Sequence, residues 1–285
     1  MKRLVRAVLS LALLAGVIWV VQPQEVLGAM RGLQPGWLAL AIAALATQIG
    51  LSALRWRVTA SALGHDLPRL WAVREYGLSV AVNTFLPGGV LGDLARILRS
   101  RGLGWQGAAA SVLIERLAGQ VALAVLVLGA VWLWLGALGA GIVLVLTGLV
   151  LMGFRVWPKL AGWLAKAWFG PGVWPRQLAL TLAILSANLA GFWAAAQAMG
   201  VTLDAGQALV LIPLTLLSML VPLTINGWGL REGVAAALWP LWGIGAAQAV
   251  AASVAFGLAC MGAALIGLLP WLWRGRVCPV APAQE

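Results

Sequence analysis

The residues of this chain best able to do chemistry are the charged side chains stranded within or beside long apolar stretches, and they come in pairs. Asp93 and Arg96 stand three apart, Glu115 and Arg116 are adjacent, and so are Arg231 and Glu232. A charge at the centre of a bilayer costs about 2.5–3.5 kcal/mol on insertion scales, so these groups are expected to face one another, water or a polar ligand rather than lipid. Arg96 and Arg231 each offer a planar, bidentate donor suited to a phosphate. Asn83 and Asn226 would add neutral hydrogen bonds. Glu115 with Arg116 also reads as a local ion pair that pins loop geometry. No residue is assigned a catalytic role and no cofactor is expected. No metal site is expected either: Cys260, Cys278 and the single histidine, His65, lack ligand spacing, and His65 reads as an interfacial loop residue.

Two Pro/Gly breaks position these charges. The first runs through Pro87, Gly88, Gly89 and Gly92 to Arg96, and the second through Pro222, Gly227 and Gly229 to Arg231. Proline removes an N–H and clashes with the preceding turn, and glycine tolerates backbone that other residues resist, so each stretch predicts an unwound helix or a re-entrant hairpin. Irregular backbone at membrane depth survives only where protein or a water-filled cavity satisfies it. Both breaks follow P-x4-G-x3-R, which raises an internal repeat as an expectation, and paired interruptions point to a transporter binding site. A helix restarting near Gly92 would present open N–H groups and a positive dipole end to an anion.

Composition sets the surroundings. The chain has 285 residues, of which 62% are hydrophobic and 9% charged, too few charged side chains to coat a soluble globule. The sequence therefore predicts an all-α integral membrane protein, a polytopic bundle of about 7–8 spans in one domain covering the whole chain. Spans are expected at Leu4–Val21, Gly36–Leu54, Ala108–Leu135, Gly136–Phe154, Gln177–Met199, Ala205–Ile225 and Ala246–Leu269, with Gly233–Gly243 as a short further crossing. The first is expected to be retained, because Leu27-Gly28-Ala29 fits a cleavage site poorly. Basic residues cluster at alternate span ends, Arg55, Arg57, Arg69 and Arg74 among them, which predicts both termini in the cytoplasm. The net charge of +11 thus belongs to a membrane surface, and no nucleic-acid partner is expected. Trp37, Trp56, Trp71, Trp105, Trp271 and Trp273 are assigned to interfacial belts.

Asn83, Leu86-Pro87-Gly88-Gly89, Gly92-Asp93 and Arg96, then Glu115-Arg116 with Gly119, then Gly227, Gly229 and Arg231-Glu232, together resemble the lysylphosphatidylglycerol synthase transmembrane region family, also called flippase-like. The resemblance spans nearly the whole chain. Leu91 departs from it, standing where the family pattern has another glycine, and so does Leu223 to Asn226, which replaces a Ser-Pro-Gly-like stretch. It implies movement of a membrane phospholipid or other polar lipid between leaflets of a bacterial or archaeal cytoplasmic membrane. It implies no aminoacyl transfer, since the sequence ends at Glu285 without the soluble synthase domain. No GxxxxGK[ST] phosphate loop is present, so transport would be passive or coupled to protons or membrane potential. Two other readings stand beside it. One is a membrane glycosyltransferase acting on lipid-linked sugars, for which only Glu25 and Asp204 offer an outer-loop acid. The other is a non-catalytic scaffold for an enzyme of envelope-lipid synthesis, and a homo-oligomer is compatible with either.

Overall fold

The computed structural model describes residues 2–86, 90–100, 104–136, 158–220, 224 and 226–272. Among them every regular element is helical. A lipid-immersed chain has no water to satisfy its backbone, and helices do so within each segment. Helix α1 (Lys2–Val20) turns into α2 (Pro23–Met30) through a 93° bend at the Val21–Gln22 link. The chain continues as α3 (Pro35–Ala62), α4 (Arg69–Phe85), α5 (Leu91–Arg99) and α6 (Trp105–Leu135). Beyond residue 157 come α7 (Pro158–Phe169), α8 (Trp174–Ala198), α9 (Ala205–Leu217), α10 (Leu230–Leu238) and α11 (Ala246–Gly267).

Among the described residues four helices, α3, α6, α8 and α11, are long and apolar enough to cross a membrane, or five spans if the bent α1–α2 pair counts as one. The expected Ala205–Ile225 crossing is instead the 13-residue α9 followed by a 3-10 turn, Ser218–Leu220. A straight crossing needs about 20 residues. Gly233–Gly243 is likewise the end of α10 and a second 3-10 turn, Trp239–Trp242. All but the first residue of the expected Gly136–Phe154 span lies outside the described residues, as do Trp273 and Cys278.

Helix α11 is the axis of the bundle. Of its apolar window 61% is buried, against 28% for α3, so α11 meets protein on most sides while α3 shows a broad face to lipid. Ala41, Leu45 and Ile49 of α3, Phe192, Ala195 and Ala198 of α8, and Ala252, Phe256 and Ala263 of α11 form the main core. Small residues set the spacing, as expected where lipid supplies no hydrophobic drive and close contact must hold helices together. A Cβ on Gly77 of α4 would lie 2.0 Å from the Gly267 carbonyl oxygen of α11, so these backbones touch.

Candidate functional site

The first break builds a helical hairpin. Helix α5 runs back along α4, with Arg99 reaching Glu75 at 2.6 Å and Asp93 reaching Ser79 at 3.4 Å. At nine residues, or about 14 Å, it is too short to cross and re-enters the bundle between α4 and α6, packing on both. Gly92 makes the close approach possible, since a Cβ there would fall 2.0 Å from the Ser79 carbonyl oxygen. Asn83 caps the re-entering helix: its Oδ1 accepts the Gly92 N–H at 2.8 Å, and its Nδ2 donates to Asp93 at 3.2 Å. This corrects the expectation of an open anion site at that helix start. Asn83 occupies the Gly92 N–H, and the carboxylate of Asp93 sits in the first turn, where the dipole favours it.

Around this hairpin the membrane-depth charges form one network. Glu115 Oε1 accepts from Arg55 Nη2 at 2.9 Å and from the Tyr76 hydroxyl at 3.2 Å. Its Oε2 accepts from Arg96 Nη2 at 3.4 Å, and the same nitrogen donates to Asp93 Oδ1 at 3.1 Å. Arg116 pairs with the other Asp93 oxygen. Arg55 also donates to Thr181 of α8 at 3.2 Å. Arg96 lies between the Trp56 and Tyr76 rings, 4.7 and 4.5 Å from their centroids, and its Nε and Nη1 have no hydrogen-bond partner among the described residues. Arg55, Arg96 and Glu115 are at most 3% exposed in their side chains, whereas Arg116 is 40% exposed. Glu115 and Arg116 each engage partners beyond one another. As neighbours on a helix their side chains diverge, one toward Arg55 and Arg96 and the other toward Asp93.

The network opens into a cavity of about 340 Å³ walled by α3, α4, α6 and α8, with Asp93 of α5 and Leu216 and Met219 also in its lining. Its polar lining includes Gln48, Ser52 and Arg55 of α3, Ser79 and Asn83 of α4, Glu115, Arg116 and Gln120 of α6, and Thr181 and Asn188 of α8. Arg55, Arg116, Asp93 and Glu115 line the cavity, and with Arg96 buried outside its lining the network holds three guanidiniums and two carboxylates, one positive charge in excess when all are ionised. In a low-dielectric bundle such an excess draws anions. The cavity falls within the range of about 300–1,000 Å³ for small-molecule sites, enough for a lipid headgroup without its acyl chains.

The second break sits apart. Gly227 and Gly229 lie in its turn, with φ of +79° and +85°, a conformation in which glycine escapes the Cβ clash of other residues. Asn226 lines a second, smaller cavity. Arg231 and Glu232 line neither cavity and are fully buried against α11. Arg231 donates to Glu232 at 2.6 Å and to the Ser253 hydroxyl at 2.8 Å, and Glu232 accepts the Gly229 N–H at 2.6 Å. The pair therefore caps α10 and pins it to α11, rather than lining a headgroup cavity as expected. Nor does the shared spacing become shared geometry. Gly92 is inside α5 with Arg96 near the helix end, whereas Gly227 precedes α10 and Arg231 stands at its start. Pro87, Gly88, Gly89 and Pro222 lie outside the described residues.

Arg55, Gln48, Ser52, Tyr76, Thr181 and Asn188 are site residues that the sequence reading did not place there. Arg55 was assigned to a cytoplasmic helix end because the apolar window stops at Leu54, yet α3 continues to Ala62. Trp56, carried inward by the same continuation of α3, and Trp71 of α4, both assigned to the interfacial belt, are buried with their rings 5.7 Å apart, and Arg96 lies over the Trp56 ring. A usable signal was present: Gln48, Ser52 and Arg55 recur at i, i+4 and i+7 on one face of α3, as Thr181 and Asn188 do on α8. Asp204, an acid considered for glycosyl transfer, caps α9 by accepting the Gln207 N–H at 2.8 Å. His65 lies in the α3–α4 loop beside Gly107.

Apolar helices with a buried charge network and a polar cavity define a multi-pass helical membrane protein. The chain belongs to the family described as the lysylphosphatidylglycerol synthase TM region, whose model matches residues 7–267. No curated protein and no solved structure matches it.

Proposed function

We propose that this protein moves a phosphate-bearing polar lipid between the leaflets of a cytoplasmic membrane, with the headgroup held beside Arg55 and Arg116, in front of the buried Arg96, while the acyl chains stay in lipid. One observation carries the reading: a cavity of about 340 Å³ lined by Arg55, Arg116, Asp93 and Glu115, at the edge of a buried charge network that holds one arginine in excess. Arg116, half-exposed and held by Asp93, is the group placed to exchange that partner for a phosphate oxygen. Family membership supports a lipid-related role. A bacterial or archaeal host belongs to the same reading through the family, a count of about 7–8 crossings through the apolar runs of the sequence, and cytoplasmic termini through the alternation of basic loops.

The test uses the purified chain in liposomes with labelled phospholipid. The wild type should equilibrate anionic lipid faster than empty vesicles, and Arg116→Gln should slow this at least tenfold without loss of thermal stability. Movement no faster than in empty vesicles, or unchanged in Arg116→Gln and Arg55→Gln, would overturn the reading. Cross-linking to a partner enzyme, combined with tolerance of both substitutions, would favour the scaffold instead.

A further inference from the structure

Helix α5 is held at both ends, and the two holds differ in kind. At the cavity end Asp93 accepts from Asn83 of α4 and pairs with Arg116 of α6. An anion that takes Arg116 competes with that hold directly. At the far end Arg99 donates to both oxygens of the buried Glu75, at 2.6 and 2.9 Å, and its guanidinium carbon lies 4.9 Å from the centroid of the Trp271 ring. Arg74 of α4 lies over the same ring at 4.8 Å, and the Trp271 indole N–H donates to the Arg74 carbonyl at 3.0 Å. Arg74, Glu75, Arg99 and Trp271 line neither cavity, so no ligand there competes with this second hold.

Trp271 comes from the other end of the chain. It belongs to the short helix Leu269–Leu272 that follows α11, and the backbone contact of Gly267 with Gly77 sets that end of α11 against α4. Two arginines on neighbouring helices repel, whereas a ring that draws both holds the helices together. The nine residues of α5 span about 14 Å, so the Arg99 end bears on the Asp93 end. We infer that Trp271 is a positioning residue for the cavity. By holding the Arg99 end of α5 it keeps Asp93 on Arg116, and so sets how readily Arg116 takes an anion, without itself touching the cavity. The effect on binding rests on the proposed headgroup site; the hold on α5 does not. The two give opposite signs: a weakened fold loses affinity, whereas release of a competing carboxylate raises it.

The experiment follows backbone hydrogen exchange of the full chain in detergent, read by mass spectrometry, in the wild type, Trp271→Ala and Trp271→Phe. Trp271→Ala removes the ring and should speed exchange of the α5 amides by about tenfold or more while α3 and α8 keep their rates. Trp271→Phe keeps a ring for both arginines and should restore most of the protection. Native mass spectrometry with short-chain phosphatidic acid then reads the cavity. Trp271→Ala should tighten binding about tenfold, and in the Asp93→Asn background it should add nothing, because the competing carboxylate is already gone. Unchanged α5 exchange in Trp271→Ala, equal loosening in Trp271→Phe, or faster exchange in every helix alike overturns the inference. So does phosphatidic acid that binds the wild type and gains nothing from Trp271→Ala. If α5 loosens as expected and phosphatidic acid binds no variant, the positioning of α5 by Trp271 is supported and the headgroup reading alone falls.

Discussion

Replacing Glu115 by Gln should move stability and anion affinity in opposite directions. Glu115 holds Arg55 at 2.9 Å and Arg96 at 3.4 Å, all three side chains being nearly inaccessible. Removing its charge leaves three guanidiniums in the network with the single carboxylate of Asp93, and breaking a buried pair in this way costs about 3–5 kcal/mol. Thermal unfolding in detergent, followed by tryptophan fluorescence, should show that loss. The double variant Arg55→Met/Glu115→Gln removes one stranded cation and should recover about 1–3 kcal/mol relative to additivity. The same Glu115→Gln change raises the excess positive charge of the network beside the cavity from one to two. At an effective dielectric of about 20, one charge roughly 6 Å from a bound phosphate is worth about 3 kcal/mol, or about a hundredfold in Kd. Binding of phosphatidic acid should tighten accordingly in whatever fraction remains folded. Unchanged stability, an additive double variant, or weaker anion binding by folded protein would each refute the reasoning.

Gly92→Ala drives a methyl onto the Ser79 carbonyl rather than onto a flexible side chain, so it should cost at least the upper end of the roughly 1–3 kcal/mol of overpacking and part α5 from α4; a lowered melting temperature reads this out. Gly129→Ala, which meets open space, is the control with no loss. Arg231→Met should destabilise by about 3–5 kcal/mol, since it leaves the buried Glu232 unpaired, yet keep the wild-type order of lipid affinities in native mass spectra. Asp204→Ala should lose about 1 kcal/mol with its helix cap and leave lipid transport in vesicles unchanged.

How much of this was legible in the sequence depends on which residues are asked about. Asn83, Asp93, Arg96, Glu115 and Arg116 announce themselves, because an ionisable or amide side chain between apolar runs has few places to go, and α5 brings all five together. The pairing was not legible from adjacency. Glu115 and Arg116 are separated by about 100° of helix, so they serve different partners. Arg55 was hidden by a window that ends where polarity begins, although a helix ends where its backbone does. Arg231 and Glu232 looked like Asp93 and Arg96 in one dimension, and only the packing of α10 on α11 shows a capped, buried joint that lines neither cavity. Asn188 lies inside an expected span and carried no break to mark it, so its role rested wholly on the facing of α8.

Helix α5 owes its place to ion pairs on several neighbours, and that has a consequence for the order of synthesis. Asp93 and Arg96 leave the ribosome before Glu115 and Arg116, so while α6 is still being made Arg96 lacks Glu115 and Asp93 lacks Arg116. Until then the α4–α5 hairpin is better placed in the aqueous interface than at depth. Its docking is therefore a late event that waits for α6, and a cysteine placed on α5 should stay reactive to an aqueous thiol reagent in nascent chains that stop before Glu115 and become protected in longer ones. Equal protection in both would show that the hairpin seats itself unaided.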